Sequence, residues 1–352
     1  MTDFKHRRPK VLISGANGFV GSHVAEQAAE RGWEVYAGMR SSSDPSNLEG
    51  ISHTRFDLDM MNTVALRSSM EEAAEVHGGF DFIVHCAGVT KPRNHDEFVT
   101  GNAHFTNEFA TISRDTQPGL SKFVYISSIA ALGPGDPVSM EPIDETQTPR
   151  PFTPYGKSKL LAEQLLAKVV GLDYVILRPS AVYGPRDAKF LDFIIPLFKR
   201  GVDFRLGPSK QQLSFIHVSD LARAILEACV STAASKTFNI SDGKFYGQEA
   251  LGEAVMEALG VRCRTVRVPA RVLTTVGRVI YTTMSFFGKE VHLSHNKMKE
   301  VTAANWKIDT SLFEETLNYT PHYDLKSGIW QTLQGSGNKK AQNPTPKPAT
   351  KS

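Results

Sequence analysis

Tyr155 and Lys159 stand four residues apart in a segment, Pro154-Tyr155-Gly156-Lys157-Ser158-Lys159, that reads as the opening turns of a helix. At that spacing both side chains leave one face of the helix. A phenol with an ordinary pKa of about 10 is a weak acid–base catalyst at neutral pH. An ammonium group beside it stabilises the phenolate and draws that pKa toward the working range. The pair is suited to moving a proton on and off a substrate oxygen. A second chemical signal lies near the start of the chain, where Val11-Leu12-Ile13 leads into Ser14-Gly15-Ala16-Asn17-Gly18-Phe19-Val20-Gly21. Glycines at this spacing permit a tight turn, close approach of backbone to a diphosphate, and close packing of helix on strand. The helix that follows turns free N–H groups and its positive dipole end toward the phosphates. The turn predicts a bound dinucleotide, whose nicotinamide would supply the hydride while Tyr155 handles the proton.

Such groups need a scaffold, and the pattern around them supplies one. Short apolar runs alternate with amphipathic segments, as expected for parallel strands joined by crossover helices. Strands are expected at Lys10–Ser14, Glu34–Met39, Thr54–Asp57, Phe80–His85, Lys122–Ser127 and Tyr174–Arg178, several of them apolar on both faces as buried parallel strands are. Helices are expected around Gly18–Arg31, Met60–His77, Glu97–Thr116 and Pro154–Val170. Thr153 would cap the last of these, Pro154 suits its first position and Gly171 its end. Beyond Arg178 the alternation turns irregular, with helices near Ala188–Lys199, Val218–Val230 and Gly247–Leu259 and a strand at Thr237–Ile240. The expected fold is α/β, a doubly wound parallel sheet of the Rossmann type with a smaller irregular C-terminal lobe. The division would be a dinucleotide-binding domain over 1–180, a substrate lobe over 181–334 that returns strands to the main sheet, and a disordered tail over 335–352.

The chain resembles the short-chain dehydrogenase/reductase superfamily, in its extended branch. The resemblance rests on the GxxGxxG turn, then Asp57-Leu58, His85-Cys86-Ala87-Gly88, Ser127-Ser128, Tyr155-Gly156-Lys157-Ser158-Lys159 and Arg178-Pro179-Ser180-Ala181-Val182-Tyr183-Gly184-Pro185, all in the family's order between about Val11 and Tyr323. It implies that Ser128 is the catalytic hydroxyl that holds the substrate oxygen, and that Lys159 also bonds the nicotinamide ribose. It assigns the dinucleotide to Gly15, Asn17, Gly18, Phe19, Val20 and Gly21 of the turn. Asp57 would take the adenine with Leu58 beside it, Ala87 and Gly88 would line the adenosine side, and Pro179 and Val182 would complete the contact next to Tyr155 and Lys159. Asn102 matches an asparagine that lies near the cofactor in relatives, or is a polar residue on a helix surface. By the same analogy the protein would form a homodimer through two helices per subunit, one of them the helix of the catalytic tyrosine.

The end of the second predicted strand reads Gly38-Met39-Arg40-Ser41-Ser42, where an acidic residue would accept bonds from a free ribose 2′-hydroxyl and repel a 2′-phosphate. Arg40 instead offers a planar cation and the serines offer donors, so NADP(H) is preferred and NAD(H) is the alternative. On the substrate side, the resembled sugar-nucleotide enzymes carry an arginine where this chain has Leu213 and an asparagine where it has Ala181. Those apolar replacements, and the run Ser127–Gly133, resemble the 3β-hydroxysteroid dehydrogenase, dihydroflavonol reductase and keto-lipid reductase branches. Between Pro269 and Gly288, apolar residues recur at helical spacing among Arg271, Arg278 and Lys289. This segment is either a lobe helix on the core or a greasy lid with peripheral membrane contact.

Composition bounds the rest. With 352 residues, 41% hydrophobic and 22% charged, the chain has the make-up of a soluble globular protein. Removing the four lysines that follow Gly335 takes the formal charge from +3 to −1, so no basic surface for nucleic acid is expected. Cys86, Cys229 and Cys263 fit neither a disulfide framework nor a zinc site, and a cytoplasmic location without metal is expected. The reading that results is an oxidoreductase interconverting a secondary alcohol and a ketone on a largely apolar small molecule such as a keto-lipid or sterol. Two alternatives stand beside it: a nucleotide-diphosphate-sugar epimerase or dehydratase that retains its cofactor, and a non-catalytic NAD(P)-sensing protein.

Overall fold

The computed structural model describes residues 7–59, 62–89, 95–187, 191–268 and 295–335. The segment between Pro269 and Gly288 and the tail beyond Gly335 lie outside the described residues. Seven parallel strands form the central sheet in the order β11-β6-β5-β4-β1-β2-β3. They are β1 (Lys10–Ser14), β2 (Glu34–Met39), β3 (Thr54–Asp57), β4 (Phe82–His85), β5 (Lys122–Ile126), β6 (Tyr174–Pro179) and β11 (Lys236–Ile240). The order reverses between β1 and β4, and the crevice at such a switch point, outside the carboxyl ends of the strands, is where α/β sheets bind ligands.

Each central strand divides its side chains between two apolar layers, because successive residues face opposite sides. Val11 and Ile13 join one cluster with Val84, Val124 and residues of α1 (Phe19–Glu30) and α7 (Val218–Val230). Leu12, Ile83, Phe123 and Tyr125 join the other, with Leu66 and Met70 of α2 (Thr63–His77), Phe109 of α4 (Phe105–Thr116) and Ala162 and Leu166 of α5 (Pro154–Leu166). Burial on both faces explains the unbroken apolar runs in these strands.

Two differences from the sequence reading have physical causes. The helix expected over 97–116 is broken into α3 (His95–Phe98), a wide π turn over Val99–His104, and α4, which inserts a residue and turns Asn102 inward to complete burial. The helix from Pro154 closes at Leu166, because the amides of Lys168 and Val169 bond three residues back, to Leu165 and Leu166. Gly171, at φ +82°, turns the chain beyond that tightened end. At the other end Thr153 Oγ1 accepts from the Gly156 amide at 3.0 Å, as its position before Pro154 predicts.

The chain beyond β6 does return a strand to the main sheet, β11, which pairs with β6 along Val175–Pro179. The other strands there make three small sheets: β7 (Ala181–Tyr183) with β10 (Phe215–His217), β8 (Val202–Leu206) with β13 (Arg264–Val268), and β9 (Gln212–Leu213) with β12 (Tyr246–Gly247). Helices α6 (Leu191–Lys199), α8 (Ala250–Leu259), α9 (His295–Thr302), α10 (Ser311–Leu317) and α11 (Leu325–Gly335) accompany them. Among the described residues no helix is long and apolar enough to cross a membrane.

Candidate active site

The glycine turn joins β1 to α1 in a geometry that only small residues allow. Gly15 has φ +68°, and a side chain there would meet the backbone of Ala87 at 3.0 Å. A Cβ on Gly21 would stand 2.2 Å from the Gly15 carbonyl oxygen. The Gly38 carbonyl accepts from the amides of Gly15 at 2.8 Å and Ala16 at 3.3 Å, so the end of β2 shapes the turn. Gly18 stands at the N-cap of α1 with no side chain filling that place, which leaves the first amides of α1 facing outward as a phosphate cradle. Asn17, Phe19 and Val20 complete the turn, and Asn47 Nδ2 donates to the Asn17 carbonyl at 2.9 Å. These features fit a dinucleotide diphosphate.

Arg40 is exposed at the end of β2. Sequence reasoning passed over its neighbour on β3, Arg55, whose Nη2 donates to the carbonyls of Arg40 at 3.1 Å and Ser41 at 2.9 Å. Arg55 Nε also donates to Asp57 Oδ1 at 3.2 Å, so one guanidinium joins the Arg40 loop to the carboxylate expected to take adenine. Leu58, beside Asp57, is buried.

The sequence also left unconnected a buried polar chain that runs from this turn to the tyrosine. Ser14 Oγ lies 2.6 Å from His85 Nδ1 and accepts from the Ala87 amide at 3.3 Å. His85 Nε2 lies 3.0 Å from Thr106 Oγ1, which donates to the Asn102 carbonyl at 2.5 Å. Because the Thr106 hydroxyl proton is spent on Asn102, His85 must donate from Nε2 and accept at Nδ1. Burial keeps this imidazole neutral, with its pKa down to about 3. Asn102 continues the chain: its Oδ1 accepts from the Val89 amide at 2.7 Å and its Nδ2 donates to Ser158 Oγ at 3.0 Å, while Ser158 donates to the Tyr155 carbonyl at 2.8 Å. Asn102 is thus buried against the helix of Tyr155 and is not a polar residue on a helix surface.

Tyr155, Lys159 and Ser128 come together at the carboxyl ends of β5 and β4. The Tyr155 phenol shares a hydrogen bond with the Ser128 hydroxyl, and burial pushes it up to about 12 with help from the charge of Glu300. Lys159 does not lower it here. Its Nζ donates to the Ile126 carbonyl at 2.8 Å and stands 4.7 Å from the centre of the Tyr125 ring, and burial brings the ammonium down to about 8. Desolvation outweighs the expected assistance, and the phenol holds its proton at neutral pH. A Cβ on Gly88 would stand 3.0 Å from Asn102 Oδ1 and 3.5 Å from Lys159 Nζ, so Ala87-Gly88 leaves room directly over the lysine. Pro179 is buried and Val182 half-buried on the strands that close this side.

One turn beyond Lys159 on the same face of α5, Glu163 is buried against Arg178 of β6. Arg178 Nη2 donates to Glu163 Oε2 at 2.6 Å and its Nε to Oε1 at 3.0 Å, while Ser127 Oγ donates to Oε1 at 2.5 Å. A carboxylate eight residues after Tyr155 on a buried face is the sequence signal that such a cation must exist.

This sheet order, with a glycine cradle at the switch point and a phenol, hydroxyl and ammonium beside it, defines a dinucleotide-dependent α/β enzyme. The model of the NAD dependent epimerase/dehydratase family matches residues 11–241, and the chain belongs to that family. It is an NAD(P)-dependent enzyme of the extended short-chain dehydrogenase/reductase type. It is 22% identical over 278 residues to a 4-hydroxy-2-methyl-3-oxo-4-farnesyl-3,4-dihydroquinoline-1-oxide ketoreductase from Stigmatella aurantiaca, covering 77% of this chain and 80% of that one. It is 25% identical over 348 residues to a UDP-glucose 4-epimerase from Vibrio cholerae, covering 93% of this chain and 96% of that one. The solved structure of a UDP-glucuronic acid 4-epimerase from Bacillus cereus, in complex with UDP-glucuronic acid and NAD, shares the fold with a TM-score of 0.71 at 20% identity, covering 92% of this chain and 98% of that one.

Proposed function

We propose that this enzyme is an NADP(H)-dependent oxidoreductase that interconverts a secondary alcohol and a ketone on a largely apolar substrate of the keto-lipid or sterol kind. The observation that carries the reading is the protonated Tyr155 phenol, hydrogen-bonded with Ser128 at the carboxyl ends of the strands. The bound dinucleotide supplies or takes the hydride. Ser128 would orient the substrate oxygen, Tyr155 would give it a proton or take one from it, and Lys159 would hold the ribose beside them. Gly15, Gly18 and Gly21 would seat the diphosphate, Asp57 the adenine, and Arg40, on a loop fixed by Arg55, the 2′-phosphate.

The apolar substrate is supported by Leu213, which is partly buried against two apolar clusters, one that includes Ile129, Trp306 and Ile308 and one that includes Tyr183 and Phe215. A diphosphate sugar would need a donor at such a place. The ketoreductase of Stigmatella aurantiaca acts, by its name, on a farnesylated ring ketone. The epimerase relatives favour a second reading, a nucleotide-sugar enzyme. The test is NADPH oxidation with a panel split between long-chain keto compounds and UDP- or GDP-sugars. Turnover confined to the first group is expected; saturable binding or conversion of a sugar nucleotide would overturn the preference.

A further inference from the structure

The corner that leaves β7 grips α1 along one face. Arg186 Nη2 donates to both oxygens of Glu26 at 2.9 Å, and its Nη1 donates to Ser22 Oγ at 3.3 Å. Ser22 gives its own proton to the Phe19 carbonyl at 3.2 Å, in the turn that opens the phosphate cradle. His23 Nε2 stands 2.9 Å from the Pro185 carbonyl, and because a carbonyl only accepts, this nitrogen carries the proton. Phe19 meets the His23 ring edge-on, with 6.2 Å between centres. Residues 19, 22, 23 and 26 share one face of the helix, so Pro185 and Arg186 hold the face that begins at the cradle. At its far end the same corner reaches the C-terminal lobe, where Asp187 Oδ2 accepts from the Leu191 amide at the start of α6 at 3.4 Å. The corner is also strained. Arg186 has φ +67°, a left-handed conformation that a residue with a Cβ seldom adopts and that persists only where surrounding contacts over-determine it. Those contacts are the bonds to Glu26 and Ser22.

We propose that Arg186 is a positioning residue for the dinucleotide: paired with Glu26, it sets the first turns of α1 against the lobe, so that diphosphate binding and docking of the corner support each other. It rests on the reading of the glycine turn as the seat of the diphosphate. Without Glu26 the left-handed Arg186 relaxes and draws the Pro185 carbonyl away from His23, and the cradle loses its register. A ligand that binds the docked arrangement more tightly stabilises it, and by linkage the docked corner raises the affinity by the same factor. The rest of α1 does not depend on this grip. Gln27 Nε2 donates to the Ser219 carbonyl at 2.8 Å and Arg31 Nη2 to Glu227 Oε1 at 2.8 Å, which tie the helix to α7 whatever the corner does.

The test titrates NADPH, with NADH in parallel, into wild type, R186M, E26Q and the double variant R186M/E26Q, and follows hydrogen exchange with and without cofactor. R186M should weaken NADPH binding by about tenfold, and the double variant should bind no more weakly than R186M, because the two side chains act as one. The Tm of unliganded R186M should stay within about 2 °C of wild type, as the pair is half-exposed. NADPH should slow exchange over residues 181–187 in wild type and leave it unchanged in R186M. A Kd within twofold of wild type in R186M, additive losses in the double variant, or equal protection of the corner in both proteins would overturn the role of Arg186. So would a lowered Tm with an unchanged Kd, the mark of a merely structural pair. A wild type that binds neither NADPH nor NADH would overturn the cradle reading, and the proposal with it.

Discussion

On the proposed assignment, Tyr155 is poised as an acid. Desolvation of its hydroxyl and the negative charge of Glu300 keep the phenol protonated at neutral pH, so it would donate to a ketone oxygen in the reductive direction. Lys159 is the more easily titrated member of the pair, at about 8. Below that pH the folded protein carries an ammonium at this position, and above it a neutral amine. Since the charged form would hold the ribose more firmly, NADPH affinity is expected to weaken as pH rises through about 8. Fluorescence titration of the cofactor should show this fall in the wild type and a flat profile in K159M. The residue types and spacing of this pair were readable in the sequence. The sign of the phenol's shift was not, because it depends on burial by segments distant in the chain, Glu300 among them, and on the Ile126 carbonyl that engages the lysine.

At the scale of elements, the helix of Tyr155 and Lys159 is held in register by two buried polar assemblies. The Ser14–His85–Thr106–Asn102–Ser158 chain ties it to the glycine turn, and the Glu163–Arg178–Ser127 group ties it to β5 and β6. Removing Arg178 leaves a buried carboxylate without its cation, a loss of about 3–5 kcal/mol in comparable cases. R178M should therefore lower the denaturation midpoint strongly. E163Q, which removes the charge but keeps the shape, should cost less in an otherwise wild-type protein and recover part of the loss when combined with R178M. Additive losses in the double variant would contradict this coupling. The positions of β1 and β2 were legible because both faces are apolar; β3, a largely exposed edge strand, matches the sequence reading residue for residue as they do. The π turn at Val99–His104 was not, since one inserted residue hardly disturbs the helical pattern on either side while it redirects Asn102. The Glu163–Arg178 pair was hidden because its partners lie on different elements.

For the whole molecule, the proposed cofactor site draws on β1, β2, β3 and β4 together with α1 and α5, so binding would stabilise the entire sheet. A ligand at a hundred times its Kd adds about 2.7 kcal/mol to folding stability. NADPH at that level should raise Tm by roughly 5 °C, and NADH at the same concentration by clearly less if Arg40 and the loop held by Arg55 receive the 2′-phosphate. Equal shifts would contradict the cofactor preference, and R40A should bring the two cofactors together. Every level depends on one assignment, that the phenol delivers the proton while the fold delivers the dinucleotide. The direct test is Y155F, measured for NADPH affinity and for turnover on an accepted ketone in the same preparation. Affinity within about twofold of wild type and turnover lower by about a thousandfold are expected; turnover that survives the loss of the hydroxyl would contradict the assignment.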